Sequence, residues 1–364
     1  LEVLLTKQIN RPRLEWLDAL KGLGIVLVVL GHLPQIGASA TGALIYAFHV
    51  PLFFALSGAT LGGASARSMG RRVFVLLWVY AAVGLLSLPF AMWRHPAASV
   101  SGVLAGLAYG SPMSLLIGPL WFLPALALAV PLAWLAMRPA ARSDSSWHHG
   151  LWLAGAAVLM LGAGSALFAL EPPRQAGGLQ LAWGRFTSAG AFWSADVAVL
   201  GSGFVVLGAL LGKLVEACDM KRAALLAGAA ALLAMLVFRS TPRVELAYGA
   251  WADPLRHSVV AVAVILFLSA VAKLASGRLG VLAWIGRSTL PILVLHVVAY
   301  TLLRPVLLGA PLGLAICLAL FAGVCLPAWL DQAVLAKTPW LSWVFDPRSC
   351  LDRWRSRARP AKHA

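Results

Sequence analysis

The sequence predicts an all-α membrane protein, a polytopic bundle of about ten transmembrane helices with both termini cytoplasmic. Three observations predict it. Of the 364 residues, 61% are apolar and only 12% charged, whereas a soluble domain carries about 25% charged residues. Ten segments are long and apolar enough to cross a hydrocarbon core, which takes about 20 residues. The basic residues fall mainly on one side of the resulting topology. The chain holds 29 Lys and Arg against 13 Asp and Glu, a net charge of +16. In so apolar a chain that excess points to basic loops beside a membrane, not to nucleic acid. The same composition excludes a disordered chain and a disulfide scaffold. The four cysteines include no C-x-x-C pair and read as small packing residues.

The spans fall at residues 16–33, 42–64, 73–93, 115–137, 150–170, 192–212, 223–238, 258–275, 281–303 and 311–335. The stretch 99–110 is apolar but too short to cross, and reads as an interfacial or re-entrant piece. The first span follows a polar stretch and holds Asp18 and Lys21, so it does not read as a cleavable leader. With the N-terminus inside, 20 Lys and Arg fall in inner segments and 7 in outer ones. This is the positive-inside pattern. It divides the chain into a cytoplasmic segment 1–15, a membrane domain 16–335 and a basic cytoplasmic tail 336–364. Lys21 and Arg287 are the two basic residues left within spans. Pro51, Pro124, Pro131 and Pro291 interrupt spans, and small residues four apart (Gly58 and Gly62, Gly208 and Gly212) fit close helix packing. Trp147, His148, His149 and Trp152 form an interfacial belt.

Ionisable groups inside a bilayer cost energy and mark candidate sites. Span 1 carries Asp18, Lys21 and His32, span 2 His49, span 6 Asp196, span 9 Arg287 and His296, and span 10 Asp331. Lys21 and His32 are eleven residues apart. Eleven steps of about 100° bring them onto one helix face, about 16 Å apart along the axis. Asp18, one turn before Lys21, is placed to pair with it; Lys21 then serves either packing or a ligand. His32, His49 and His296 fall at comparable depth in the outer half, His296 about fifteen residues into its span. An imidazole suits general-base work on a hydroxyl. No second ligand stands three or four residues from any of the three, so a metal site has little support.

Several segments then resemble one family. LDALKGLGIVLVVLGH (Leu17 to His32), with a basic residue, ten others and His, resembles the opening of the acyltransferase 3 family of integral-membrane proteins. FHVPLFFALSG (Phe48 to Gly58), Arg71-Arg72 with VFVLLWVY, GPLWFLPALAL (Gly118 to Leu128), FVVLGALLGK (Phe204 to Lys213) and IGRSTLPILVLH (Ile285 to His296) are similar to its later motifs, in order. Two departures stand out: Lys21 where many members carry Arg, and no Pro before Tyr80. The first keeps the charge and loses the bidentate fork.

The resemblance implies an O-acyltransferase of the bacterial inner membrane. It would take acetyl-CoA as donor, with no metal, and acylate a carbohydrate or lipid-linked oligosaccharide at the outer face. The exopolysaccharide and fucose O-acetylase branch is the most similar. On that footing His32 is the expected base, with Lys21 and His49 assisting. Arg67, Arg71 and Arg72 would hold the phosphates of the donor, and Arg287 and Trp121 would complete its path. Asp18 and His296 would support the acceptor or the base. The arginine cluster is equally explained by topology alone, and Trp121 by packing. The competing class is a proton-coupled transporter or flippase, since buried His, Lys and Asp also relay protons.

Overall fold

The computed structural model describes residues 14–61, 64–94, 96, 99–112, 114–115, 117–140, 146–170 and 190–347. Outside them lie Gly62, Cys350 and the basic residues of 1–13, 141–145, 171–189 and 348–364. In chain order the main helices are α1 (Glu15–Gly31), α2 (Ala40–Ala59), α3 (Ala66–Leu86), α4 (Val100–Tyr109), α5 (Phe122–Met137), α6 (Ser146–Leu170) and α7 (Ala195–Ala217). Then follow α8 (Met220–Phe238), α9 (Pro254–Leu274), α10 (Gly280–Gly286), α11 (Thr289–Gly309), α12 (Leu312–Leu320), α13 (Leu326–Ala333) and α14 (Pro339–Phe345). A π-helical turn, Phe321–Cys325, joins α12 to α13. Among the described residues nine stretches are long and apolar enough to span a membrane, and α12 to α13 form one of them. The remaining span is α1, whose 17 residues hold Asp18 and Lys21. The nine and α1 correspond in order to the ten segments marked in the sequence, with α1 shorter and more charged than the others. α4 is a 10-residue apolar helix too short to cross.

Side chains cap five of the helix starts. Ser39, Ser65 and Ser99 accept from backbone N–H groups of α2, α3 and α4, and Asp219 and Asp253 do so for α8 and α9. Here inner and outer keep the sense that the distribution of basic residues predicts, and hydrogen bonds between connections join ends of the same side. Trp134 Nε1 donates to Ala64 O at 2.8 Å, and Lys213 Nζ to His149 Nε2 at 2.9 Å, on the inner side. Gln35 Nε2 donates to Leu307 O at 2.8 Å, and Arg243 donates to Gly37 O, on the outer side. These pairs agree with spans that alternate in direction.

α7 lies at the centre, with 67% of its apolar window buried, while α6 and α8 bury 22% and face outward. Two crossings are close because glycine meets backbone. A Cβ on Gly58 would stand 1.8 Å from Val205 O, and one on Gly208 1.9 Å from Ala55 O, which locks α2 to α7. A Cβ on Gly22 would stand 1.9 Å from Leu282 O, and one on Gly286 1.8 Å from Asp18 O, which locks α1 to α10.

Four sequence readings change. Span 9 is broken at Arg287 and Ser288, so Arg287 caps a short helix and is exposed instead of lying within a span. Pro291 sits in the first turn of α11, where its missing N–H costs no helical bond. His296 is therefore the eighth residue of its helix, not the fifteenth. It keeps its depth because α10 lies along the inner half of α1. Cys317 and Cys325 are exposed on the last span and not part of the packing.

The α1–α10 crossing generates a prediction. Gly22→Ala lowers the melting temperature and destabilises by about 1–3 kcal/mol or more, because its methyl meets a carbonyl. Gly155→Ala, with nothing within 4 Å of its Cβ, leaves stability unchanged or gains about 1 kcal/mol of helix propensity. Equal melting curves for the two variants would contradict the crossing.

Candidate active site

One face of α1 carries Lys21, Ile25, Val28 and His32, spaced by four, three and four residues. α2 presents Tyr46, His49, Val50, Phe53, Ser57 and Thr60 at similar spacing. Both stripes line a cavity of about 410 Å³. Its inner end holds Lys21, Ser57, Thr60 and Arg72, and its outer end His32, Tyr46, His49 and Glu245. Apolar residues fill the length between, with Trp121 and Phe122 on the wall. A second space of about 850 Å³ adjoins the inner end and shares Lys21, Thr289 and Leu290 with it. Arg287, Asp18, Asp331, Gln332 and Asp346 line this vestibule.

The three imidazoles are held in one way. His32 Nδ1 lies 2.7 Å from Val28 O, His49 Nδ1 2.9 Å from Ile45 O, and His296 Nδ1 2.9 Å from Ile292 O. A carbonyl only accepts, so Nδ1 carries the proton in each and the Nε2 lone pair is left over. That is the tautomer a general base needs. His32 is exposed and lines the cavity, whereas His296 is fully buried with its Nε2 lacking a hydrogen-bond partner. Their ring centroids are 5.3 Å apart. His49 meets the Tyr46 ring at 5.2 Å, and Tyr46 meets His32 at 6.4 Å. The imidazole packed on His32 is thus His296. The π-helical turn helps to seat it: Gly323 packs on Val29 and His296, where a Cβ would stand 2.9 Å from Val29 Cγ1.

At the inner end Lys21 Nζ pairs with Asp18 Oδ1 at 3.1 Å, and the Lys21 side chain keeps 30% of its exposure. Arg72 donates to Thr60 Oγ1 at 2.9 Å and to Thr60 O at 2.8 Å, which ties α3 to the end of α2. The three arginines part company here. Arg72 lines the cavity, while Arg67 and Arg71 are exposed and line neither space.

The family model described as "Acyltransferase domain" matches residues 14–331. The chain belongs to the acyltransferase 3 family. No curated protein and no solved structure matches it significantly. The match covers every residue of the cavity wall, and family membership makes the chain a multi-pass membrane acyltransferase.

The structure of this acyltransferase also brings in residues that the sequence reading passed over. Tyr46 precedes His49 by three residues on the same helix face, a spacing that is visible in the sequence. Tyr300 donates to Val29 O at 2.6 Å and packs on His296 at 6.1 Å between ring centroids. Glu245 comes from the outer loop, and its only sequence signal is an acidic residue set between two apolar ones.

Proposed function

We propose that the acyltransferase moves an acetyl group from cytoplasmic acetyl-CoA to a carbohydrate hydroxyl at the outer face of a bacterial inner membrane. An exopolysaccharide or a lipid-linked sugar is the acceptor. The observation that carries this reading is the wall of the cavity: Lys21 at one end and His32 at the other, on one face of α1.

Phosphates of the donor are met at the inner end. Lys21 and Arg72 stand on the cavity wall, and Arg287 on the adjoining vestibule. Arg67 and Arg71, exposed on the first turns of α3, attract the anion without entering. The slim pantetheine arm then runs between apolar walls past Trp121 and Phe122 to His32. There the acceptor oxygen attacks the thioester carbonyl carbon while His32 Nε2 takes its proton. The new C–O bond forms, the C–S bond breaks, and the thiolate leaves with the proton that His32 returns, as CoA–SH. His49 and Tyr46 line the acceptor side. His296 backs the His32 ring. Family membership favours acyl transfer over the transporter reading.

The test uses the purified protein in lipid nanodiscs with radiolabelled acetyl-CoA. The acceptor is surface polysaccharide from cells lacking this chain. His32→Ala slows label transfer by about 100-fold or more, while melting temperature and acetyl-CoA binding stay near those of the native chain. Undiminished transfer would remove His32 from the chemistry. A second comparison tests the inner end. Arg72→Ala raises the KM for acetyl-CoA by about tenfold or more, as for a lost charge-assisted hydrogen bond, and Arg67→Ala changes it less. The reverse order would contradict entry past Arg72.

A further inference from the structure

Glu245 lies in the outer loop 239–253, between α8 and α9. The loop is firmly built. Glu245 N donates to Ala250 O and Ala250 N to Glu245 O, each at 3.1 Å, which closes a one-bridge hairpin. Gly249, with φ of 74°, makes its turn. Trp251 is buried and donates to Ser165 Oγ at 3.2 Å. His257 Nε2 donates to Pro242 O at 3.1 Å, and Arg256 to Ser240 O at 3.0 Å.

Within this hairpin Val244 and Leu246 are 1% and 4% exposed, and Glu245, half-buried between them, stands just before the single 3-10 turn Leu246–Tyr248. The short run Glu245, Leu246 and Ala247 lines the cavity that His32, Tyr46 and His49 also line, and Glu245 is its one ionisable member. Both of its backbone polar groups are spent on the bridge, so the carboxylate alone is left for a ligand. Burial pushes this carboxyl above the ordinary carboxylate range, and the Arg243 guanidinium partly opposes the shift. Arg243 itself donates to Gly37 O and stands over the Tyr46 ring at 5.7 Å. A partly desolvated carboxylate gains from hydroxyl donors. A sugar supplies them in adjacent pairs that match the two carboxylate oxygens.

We propose that Glu245 is a specificity-determining residue of the acceptor site: its carboxylate accepts hydrogen bonds from carbohydrate hydroxyls next to the one that is acylated at His32. The inference rests on the acetyl-transfer reading above and adds which group selects the acceptor. Glu245 takes no part in bond making. It fixes which hydroxyl reaches His32 by holding that hydroxyl's neighbours.

Glu245→Gln, Glu245→Ala and Glu245→Asp are assayed in nanodiscs with labelled acetyl-CoA and the same extracted polysaccharide, with both KM values and kcat read. Glu245→Gln and Glu245→Ala raise the KM for polysaccharide by about 10- to 100-fold, the range for a hydrogen bond to a charged group. The KM for acetyl-CoA stays within about twofold, as for loss of contacts made to the acceptor alone. Glu245→Asp, which keeps the charge on a shorter arm, falls between. Native protein that transfers label beside a Glu245→Gln variant with unchanged polysaccharide KM overturns the proposal. So does a common fall in melting temperature and in affinity for both substrates, which would make Glu245 a hairpin residue only. No transfer by the native protein overturns the acetyl-transfer reading itself, and this inference with it.

Discussion

The approach of α1 to α10 is the contact on which the site depends. Gly22 and Gly286 carry no side chain, so each meets the backbone of the other helix where a Cβ would collide at 1.9 and 1.8 Å. Helices in a bilayer gain little from hiding apolar surface from lipid, so close van der Waals approach of small residues is what fixes their crossings. Here the crossing does three things at once. It holds the inner half of α1, with Asp18 and Lys21, against the end of α10. It sets the break at Arg287 and Ser288, from which α11 starts outward. It thereby carries His296 to the depth of His32, where the two rings pack at 5.3 Å.

A second constraint acts on every polar group the bundle encloses. Hydrocarbon offers no hydrogen bonds, so an enclosed polar group is costly unless it finds a partner in the protein. The histidines meet the demand locally by donating Nδ1–H to the carbonyl one turn back. That bond fixes the tautomer and leaves Nε2 available, so the same economy that makes the residue tolerable inside a membrane readies it for base chemistry. Lys21 is neutralised by Asp18 yet keeps part of its surface open to the cavity. Arg72 is braced on Thr60 at the same end. One helix face thus carries a cation at one end of the cavity and an imidazole at the other, with apolar walls between.

Much of this was legible in the sequence. Helical periodicity alone places Lys21 and His32 on one face, because a single helix has a fixed phase. The all-α, many-span class follows from apolar length and from the low share of charged residues. The family motifs supplied the chemistry that these patterns lack. What the sequence withheld are relations between helices. Nothing in a one-dimensional pattern says that His296 meets the His32 ring while His49 meets Tyr46, because azimuths of different helices are set only by packing. The same reason separates Arg72 from Arg67 and Arg71, three residues of one charge cluster of which only one turns onto the cavity. The break in span 9 was hidden because a short helix packed along α1 is as apolar as a spanning one. Glu245 was hidden because its place depends on a hairpin fold that brings an outer loop over the mouth of α1 and α2.

The most direct test of the account is sidedness. The protein is reconstituted in sealed vesicles in one orientation, with labelled acetyl-CoA confined to the cytoplasmic face and polysaccharide to the outer face. A single passage from Lys21 to His32 predicts label on the outer polysaccharide, lost in His32→Ala. Acetyl-CoA supplied only at the outer face then gives no transfer. Equal transfer with donor and acceptor both confined to the outer face would contradict the account.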